Sequence, residues 1–160
     1  MRGSGRTSEH GGPFEAARNQ DVTVVEIMTA ELSSERRVLV ADDNEDAADS
    51  LAMLLELSGY EVRVAHNGRA ALALAQTFRP HTAVLDIDMP DLSGYEVARE
   101  LRRSRGGADM RLIALTGRGQ DSDRVRADNA GFNHHLTKPG DPSALEALLR
   151  EHQLTAVKLP

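Results

Sequence analysis

Six polar side chains able to take part in chemistry stand at or just after the ends of short strand-like segments of the sequence. They are Asp42, Asp43, Asp86, Asp88, Thr116 and Lys138. If these side chains lie close together, the four carboxylates repel one another unless a cation neutralises them. A set of oxygen ligands without histidine or cysteine suits Mg²⁺ best. Because Mg²⁺ usually keeps coordination positions for water and phosphate oxygens, the set indicates a site that handles a phosphoryl group.

Asp86 is the candidate nucleophile of this set, because it follows the apolar residues 83–85 in mid-chain. A carboxylate can accept a phosphoryl group as an acyl phosphate, whose charged oxygens a metal ion, Thr116 and Lys138 can hold. Only two of the 19 basic residues are lysines, Lys138 and Lys158. A compact ammonium reaches into a small site better than an arginine fork does. Each residue alone also has an ordinary interpretation as a cap, a turn or a strand end, so the prediction depends on the combination.

An alternation of short apolar runs and helical patterns must position these side chains. The predicted strands are 38–41, 61–66, 82–87, 111–115 and 132–137, and the predicted helices are 44–59, 69–78, 93–104, 121–130 and 141–152. Asn44, Ser93 with Glu96, and Asp141 before Pro142 are the predicted helix starts. Alternating strands and helices favour a parallel sheet with helices on both faces. Ligands bind outside the carboxyl ends of such strands, which is where the six polar residues stand.

The composition limits the classes of protein and of partner. A formal net charge of -6 argues against nucleic acid as the main partner. The absence of cysteine excludes disulfides, thiolate zinc sites and cysteine nucleophiles. No apolar run approaches the ~20 residues of a membrane span, and the start has no signal-peptide core. We therefore expect a cytoplasmic protein without a nucleic-acid or membrane partner.

The chain of 160 residues is long enough for one globular domain and a tail. We expect a partly disordered N-terminal tail over 1–35, one domain over 36–152 and a C-terminal tail over 153–160. An apolar patch between Val22 and Met28 can form a short strand or a short helix.

Two further groups of residues are predicted to have no chemical role. The arginines of the third predicted helix and its end are expected to form a solvated helix face; they are Arg99, Arg102, Arg103 and Arg105. His134 and His135 are neighbours on a strand and point to opposite faces, so they cannot readily chelate one ion.

Four segments of the chain resemble the receiver (REC) domain of bacterial two-component response regulators. They are RVLVADDNEDAADSLAMLLELSGY, TAVLDIDMPDLSGYEVARELRR, RLIALTGRGQ and AGFNHHLTKP. The resemblance covers roughly residues 36–152, and its last segment with the following DPSALEALL is similar to receivers joined to hybrid sensor histidine kinases. It implies a flavodoxin-like, doubly wound α/β fold with a five-stranded parallel sheet in the order 2-1-3-4-5.

The resemblance also implies the roles of the acidic residues. Asp86 is expected to take a phosphoryl group from a phosphohistidine on a sensor histidine kinase or a phosphotransfer protein. Asp43 and Asp86 are expected to bind Mg²⁺ directly, Asp42 mostly through bound water, and Asp88 through its backbone carbonyl.

The remaining implied residues respond to the phosphoryl group. Thr116 is expected to hydrogen-bond one phosphoryl oxygen, Lys138 to pair with another, and the peptide bond before Pro139 to be cis. Phosphorylation is expected to draw Thr116 inward, to let His135 follow, and to reshape the face of helix 4, strand 5 and helix 5. A downstream protein is expected to bind that face, and a homodimer is a further option.

Asp88, Arg118 and His135 depart from the pattern of the family. Asp88 and Arg118 occupy positions that tune hydrolysis, and we hypothesise that they pair across the mouth of the site. His135 stands where the family has a rotating aromatic residue, and an imidazole can titrate near neutral pH.

Alternatives remain open at this stage. A phosphatase of the haloacid dehalogenase type also uses an Asp-x-Asp motif, as in residues 86–88, but its acidic pair follows the nucleophile, whereas Asp42 and Asp43 precede it. A receiver that only binds partners, without phosphorylation, is a further alternative. We expect a phosphoacceptor rather than an enzyme, whether a single-domain regulator, a relay carrier or a receiver cut from a hybrid kinase.

Overall fold

The computed structural model describes residues 24–29, 36–117 and 121–156. The chain divides into two compact units, Met1–Leu32 and Ser33–Pro160. In the first unit, residues 24–29 form a helical segment, so this part of the predicted apolar patch is helical. Val24, Val25, Ile27 and Met28 are exposed on it. The other residues of the predicted N-terminal tail up to 35 lie outside the described ranges.

The second unit consists of five strands that alternate with five helices. The strands are β1 (Arg37–Ala41), β2 (Glu61–Ala65), β3 (Thr82–Asp86), β4 (Arg111–Thr116) and β5 (His134–Thr137). The helices are α1 (Glu45–Leu57), α2 (Gly68–Phe78), α3 (Gly94–Arg103), α4 (Asp121–Ala130) and α5 (Pro142–Ala156). All strand pairs are parallel, and the strand order is β2-β1-β3-β4-β5. This confirms the predicted doubly wound sheet.

The strand register brings the ends that carry polar residues to one edge of the sheet. Ala41, the last residue of β1, pairs with Leu85 of β3, and Asp86 pairs with Leu115 of β4. Thr116 pairs with Thr137, the residue before Lys138. Because the strands are parallel, all of these ends face the same side of the domain.

The core lies on both faces of the sheet, as the uninterrupted apolar strands predict. Alternate residues of each strand point to opposite faces. Val38, Val40 and Val84 pack in a cluster with Leu55 of α1 and Leu145 of α5. Leu39, Leu85 and Leu112 belong to the second cluster, together with residues of α2, α3 and α4.

Side-chain caps fix the helix starts at the carboxyl edge of the sheet. The Asn44 side chain accepts a hydrogen bond from the backbone N–H of Ala47 and begins α1. Ser93 and Glu96 form the predicted capping box of α3. The caps therefore define where the loops that carry the acidic residues end.

Most element boundaries lie within one or two residues of the prediction, and two of the differences have a clear physical reason. β5 begins at His134 rather than at Phe132, because the Phe132 backbone N–H donates to the carbonyl of Ala127 and closes the end of α4. Helix α5 continues to Ala156, beyond the predicted end near His152, since residues 153–156 contain neither glycine nor proline. Among the described residues, no helix is long and apolar enough to cross a membrane.

Candidate phosphoacceptor site

Three carboxylates meet at the carboxyl edge of the sheet. Asp42 and Asp43 follow β1, Asp86 ends β3, and one carboxylate oxygen of each lies within 4.8 Å of the others. Asp42 and Asp86 are buried, with 3% and 2% of their surfaces exposed, whereas Asp43 is exposed. Two buried acids and one exposed acid therefore surround a position that solvent and ligands can reach from one side.

Lys138 supplies the cation of this cluster. Its Nζ atom lies 3.0 Å from Oδ2 of Asp42 and 3.0 Å from Oδ1 of Asp86. Its backbone N–H donates to the carbonyl of Thr116 at 2.7 Å, which extends the pairing of β4 and β5 up to the site. The peptide bond between Lys138 and Pro139 is cis. One ammonium thus bridges the acids of two strands.

The ionisation of the cluster reflects its burial and its like charges. Burial raises the pKa of Asp86 to about 6, against the opposing effect of Lys138, and the neighbouring Asp43 and Asp42 also raise it. Burial lowers the pKa of Lys138, but its hydrogen bonds to Asp42 and Asp86 outweigh burial, so that this pKa is raised overall. One ammonium therefore does not fully offset burial and the neighbouring negative charges, and Asp86 is protonated more readily than an ordinary aspartate.

Asp88 and Thr116 border the cluster from the neighbouring loops. The Asp88 backbone N–H donates to Oδ1 of Asp86 at 3.2 Å. Thr116 ends β4 with 7% of its surface exposed. Both residues line a cavity of about 410 Å³, together with Tyr95 of α3 and Arg126 of α4. The Arg126 guanidinium lies 4.6 Å from the centroid of the Tyr95 ring. This cavity separates the end of β4 from α4.

Two residues that the sequence analysis did not single out hold the loop after Asp86. Gly94 lies so close to this loop that a Cβ atom would stand 2.5 Å from the carbonyl oxygen of Asp86. The Asp91 carboxylate accepts hydrogen bonds from the N–H groups of Gly68 and Arg69, both at 2.9 Å. These bonds lower the Asp91 pKa to about 2 and tie the loop to the start of α2. Pro90 and Asp91, which stand four and three positions before Gly94, are the sequence signal for this turn.

The predictions for the arginines and histidines have different outcomes. The prediction that Arg102 is solvated is wrong. Its guanidinium donates to the carbonyls of Gly107, Met110 and Gly131 and to the side chain of Asn133. It is half-buried and ties together the loops that precede β4 and β5, because four acceptors converge on its guanidinium.

His134 and His135 both lie half-buried on β5. The Arg111 Nη2 and His134 Nε2 atoms are 2.7 Å apart, at the amino end of β4. His135 pairs with Ala114 and has no contact with the acidic cluster among those given for the described residues. Arg118 lies outside the described residues, so its pairing with Asp88 stays a hypothesis.

The residues of the cluster fit a divalent cation. Three carboxylates within 4.8 Å offer only oxygen ligands, and their mutual repulsion is relieved by added positive charge. Burial, with smaller contributions from Asp43 and Asp42, raises the pKa of Asp86, and added positive charge opposes these effects. Mg²⁺ is the ion that this small and open set of oxygens favours.

Comparison with known proteins gives a consistent assignment. The family model described as the response regulator receiver domain matches residues 38–150. Response regulator MprA of Mycolicibacterium vanbaalenii is 43% identical over 113 residues, which are 71% of this chain and 47% of that protein. The chain therefore spans about half the length of this relative.

Two solved structures show the same fold. The signal receiver domain of a signal transduction histidine kinase from Syntrophus aciditrophicus has a TM-score of 0.68 and 28% identity, and the match covers 78% of this chain and 93% of that one. Chemotaxis protein CheY4 of Vibrio cholerae has a TM-score of 0.69 and 29% identity, with 72% and 96% covered. On the family match, the relatives and the acidic cluster at the sheet edge, this chain belongs to the response regulator receiver domains.

Proposed function

We propose that Asp86 accepts a phosphoryl group from the phosphohistidine of a sensor histidine kinase or a phosphotransfer protein. The observation that carries the proposal is the position of the Asp86 carboxylate. It is buried, lies against Asp42 and Asp43, and is paired with Lys138 at 3.0 Å. Family membership supports the same role. The chain then acts as a phosphorylation-controlled switch in the cytoplasm rather than as an enzyme with many turnovers.

The transfer replaces one bond to phosphorus by another. Two donors, Nζ of Lys138 and N–H of Asp88, hold Oδ1 of Asp86. Oδ2 is therefore the oxygen that attacks phosphorus. The O–P bond forms as the N–P bond of the phosphohistidine breaks, and the electron pair of that bond stays on the imidazole nitrogen, which takes a proton.

Asp42, Asp43 and Asp86, with the backbone carbonyl of Asp88, are the groups that would hold Mg²⁺. The ion supplies positive charge for the phosphoryl oxygens. In the phosphorylated chain, the Lys138 ammonium pairs with one phosphoryl oxygen and the Thr116 hydroxyl donates to another. Thr116 ends β4, the neighbour of β3, and Lys138 follows β5 with its Nζ atom 3.0 Å from Oδ1 of Asp86, which supports these roles.

The response is proposed to pass through Thr116 into α4, β5 and α5. Thr116 borders the 410 Å³ cavity in front of α4, so its hydroxyl can move without displacing packed atoms. His135 on β5 is half-buried and is proposed to follow this movement. A two-state element of this kind needs a coupling of only ~1 to 3 kcal/mol. A downstream protein would bind the reshaped face, and the same face is available to a second copy of the chain.

The phosphohistidine donor is proposed to approach along α1. A groove of about 520 Å³ between α1 and α5 runs from Asp42 and Lys138 along Leu51, Leu54 and Leu145. Met53, Leu54 and Leu57 of α1 are exposed apolar side chains beside it. An apolar helix face that carries a histidine can therefore dock there with the histidine next to the acidic cluster. The prediction that nucleic acid is not a partner rests on the net charge and stays a prediction.

A stoichiometry measurement separates this proposal from its two alternatives. We suggest phosphoramidate as the donor, because it contains the N–P bond of a phosphohistidine, with Mg²⁺ and with EDTA as the control. A receiver retains close to one phosphoryl group per chain before slow hydrolysis. A haloacid dehalogenase phosphatase releases many phosphates per chain without retaining them. A receiver that only binds partners does neither, and that result would overturn the proposal.

A further inference from the structure

A second groove lies at the amino end of the sheet, far from the phosphoacceptor edge. It has a volume of about 430 Å³ and separates the carboxyl ends of α2 and α3. Its floor is apolar and mostly buried, and exposed arginines stand at its rim; these residues are Leu72, Ala75, Leu101 and Met110 on the floor and Arg79 and Arg105 at the rim. The groove thus offers apolar and positively charged contacts side by side.

Arg79 has a backbone conformation that its side chain does not favour. Its φ and ψ angles are 48° and 64°, the left-handed region in which glycine is the usual residue. Among the non-glycine residues that the structure describes, it is the one with a positive φ. An arginine at this helix end therefore makes the fold less stable than a glycine would. What the arginine provides and glycine lacks is a guanidinium group.

The rim arginines have no internal partner within the described ranges. No hydrogen bond or ion pair is formed by the side chains of Arg79 and Arg105 to other described residues. Arg103 of α3, which also lines the groove, is different because it pairs with Glu100 at 3.0 Å. Two guanidinium groups next to an apolar floor are thus left with their donors directed to solvent.

The charges around the groove favour an acidic occupant. Arg37 and Arg63 have their guanidinium carbons 5.8 Å and 5.2 Å from the ring centroid of Phe78, the residue before Arg79. Arg63 also pairs with Glu61 at 3.5 Å, and the acidic lining residue Glu100 is neutralised by Arg103, so the unpaired rim charges are those of Arg79 and Arg105 among the described residues. The carboxylate cluster of the phosphoacceptor site lies at the other end of the strands. An acidic segment is therefore attracted to the groove and repelled from the phosphoacceptor edge.

We propose that this groove binds an acidic, amphipathic helical segment of a partner protein. Apolar side chains of the segment contact Leu72 and Met110, and its carboxylates accept paired hydrogen bonds from Arg79 and Arg105. A small ligand fits less well, because small-molecule sites enclose most of the ligand and are mainly apolar. The described lining contains no aromatic side chain for stacking bases, which disfavours single-stranded nucleic acid. The proposal does not depend on the phosphorylation chemistry.

The test titrates the ¹⁵N-labelled full chain with a synthetic helical peptide that has leucines on one face and glutamates beside them. We expect amide shifts that concentrate at Leu72, Gln76, Arg79 and Met110, and weaker binding at higher salt. The double variant Arg79→Glu with Arg105→Glu should weaken binding at least about tenfold. Arg99→Glu, a single charge reversal of the same kind on an exposed α3 residue outside the groove, should not.

Arg79→Gly is the second variant, because it removes the guanidinium while its backbone conformation becomes easier to adopt. It should fold and should bind the peptide more weakly than the wild type. The proposal is overturned if the peptide causes no shifts, or shifts only elsewhere. It is equally overturned if the same peptide with lysines for glutamates binds as tightly, or if a short single-stranded DNA binds this groove more tightly than the peptide.

Discussion

The Nζ atom of Lys138 lies 3.0 Å from Oδ1 of Asp86, although the two residues follow strands that are not neighbours in the sheet. β4 lies between β3 and β5. The backbone hydrogen bond from Lys138 N–H to the carbonyl of Thr116, at the end of β4, fixes the position of Lys138 level with the strand ends. A single ammonium is thereby placed where charge accumulates at the acidic cluster.

Replacing Lys138 by methionine should remove most of the phosphoacceptor activity. Asp42 and Asp86 then lose their shared ion pair, and the transferred group loses the cation proposed to hold its oxygens. We expect acyl phosphate formation from phosphoramidate to slow by at least about a hundredfold. Lys158→Met, at the other lysine of the chain, is the matched control and should react like the wild type. Equal rates for the two variants would contradict the role of Lys138.

Asp86→Asn should stabilise the metal-free protein near neutral pH. The folded chain raises the Asp86 pKa from 3.8 to about 6, so the charged carboxylate destabilises the folded state at any pH above 6. Removing that charge should increase the free energy of unfolding by about 2 kcal/mol at about pH 7.5. Urea denaturation of both proteins in EDTA measures this difference.

The pH dependence of that difference has a definite sign. As the pH falls through 6 towards 3.8, Asp86 takes up a proton in the folded wild type before it does so in the unfolded chain. The loss of folding stability that the charged Asp86 causes therefore disappears. The gain from Asp86→Asn should therefore shrink towards zero near about pH 4. Mg²⁺ should shrink it at neutral pH as well, because the ion binds the folded wild type. A gain that is constant across this range would show that charge is not its cause.

Gly94→Ala should disturb the loop that carries the phosphoacceptor. The added Cβ would stand 2.5 Å from the Asp86 carbonyl oxygen and 2.9 Å from Cα of Ile87, so backbone must move. We expect a loss of about 2 kcal/mol or more in unfolding free energy and slower phosphorylation. Gly117→Ala, where nothing lies within 4 Å of the new atom, is the stability control. Similar melting of both variants would contradict the close approach.

Arg102→Met should destabilise the domain without touching the acidic cluster. Methionine keeps much of the apolar stem but leaves the carbonyls of Gly107, Met110 and Gly131 without their donor. We expect a loss of about 1 to 3 kcal/mol. Arg103→Met on the same helix removes only an exposed pair with Glu100 and should change stability by less than about 0.5 kcal/mol. Equal losses of unfolding free energy in the two variants would mean that the hydrogen bonds of Arg102 do not stabilise these loops.

Much of the fold follows from patterns that are local in the sequence. Short strand-like segments that end at polar residues predicted the five strands. The family resemblance implied their order in the sheet. Asn44, and Ser93 with Glu96, act as helix caps as predicted, because capping depends on residues only three positions apart. The convergence of Asp42, Asp43, Asp86 and Lys138 follows from the parallel arrangement of strand ends.

The features that sequence patterns did not show depend on contacts between distant segments. Arg102 resembles its solvated neighbours, and its carbonyl partners lie up to 29 residues away. Gly94 matters because a neighbouring loop approaches its backbone, which no periodicity records. Phe132 is of a residue type that is common in strands, but its backbone N–H donates to the carbonyl of Ala127 in α4. For Arg102 and Gly94, contacts outside the local pattern decide between two acceptable arrangements, whereas for Phe132 the end of the preceding helix does.

The central claim is that Asp86 is the residue that carries the phosphoryl group. Mass spectrometry of the chain after treatment with phosphoramidate and Mg²⁺, followed by borohydride reduction and peptide mapping, tests it directly. We predict one modification per chain, on the peptide that contains Asp86, and none in Asp86→Asn. A modification that persists in Asp86→Asn, or that maps to Asp42, Asp43 or Asp88, would contradict the account.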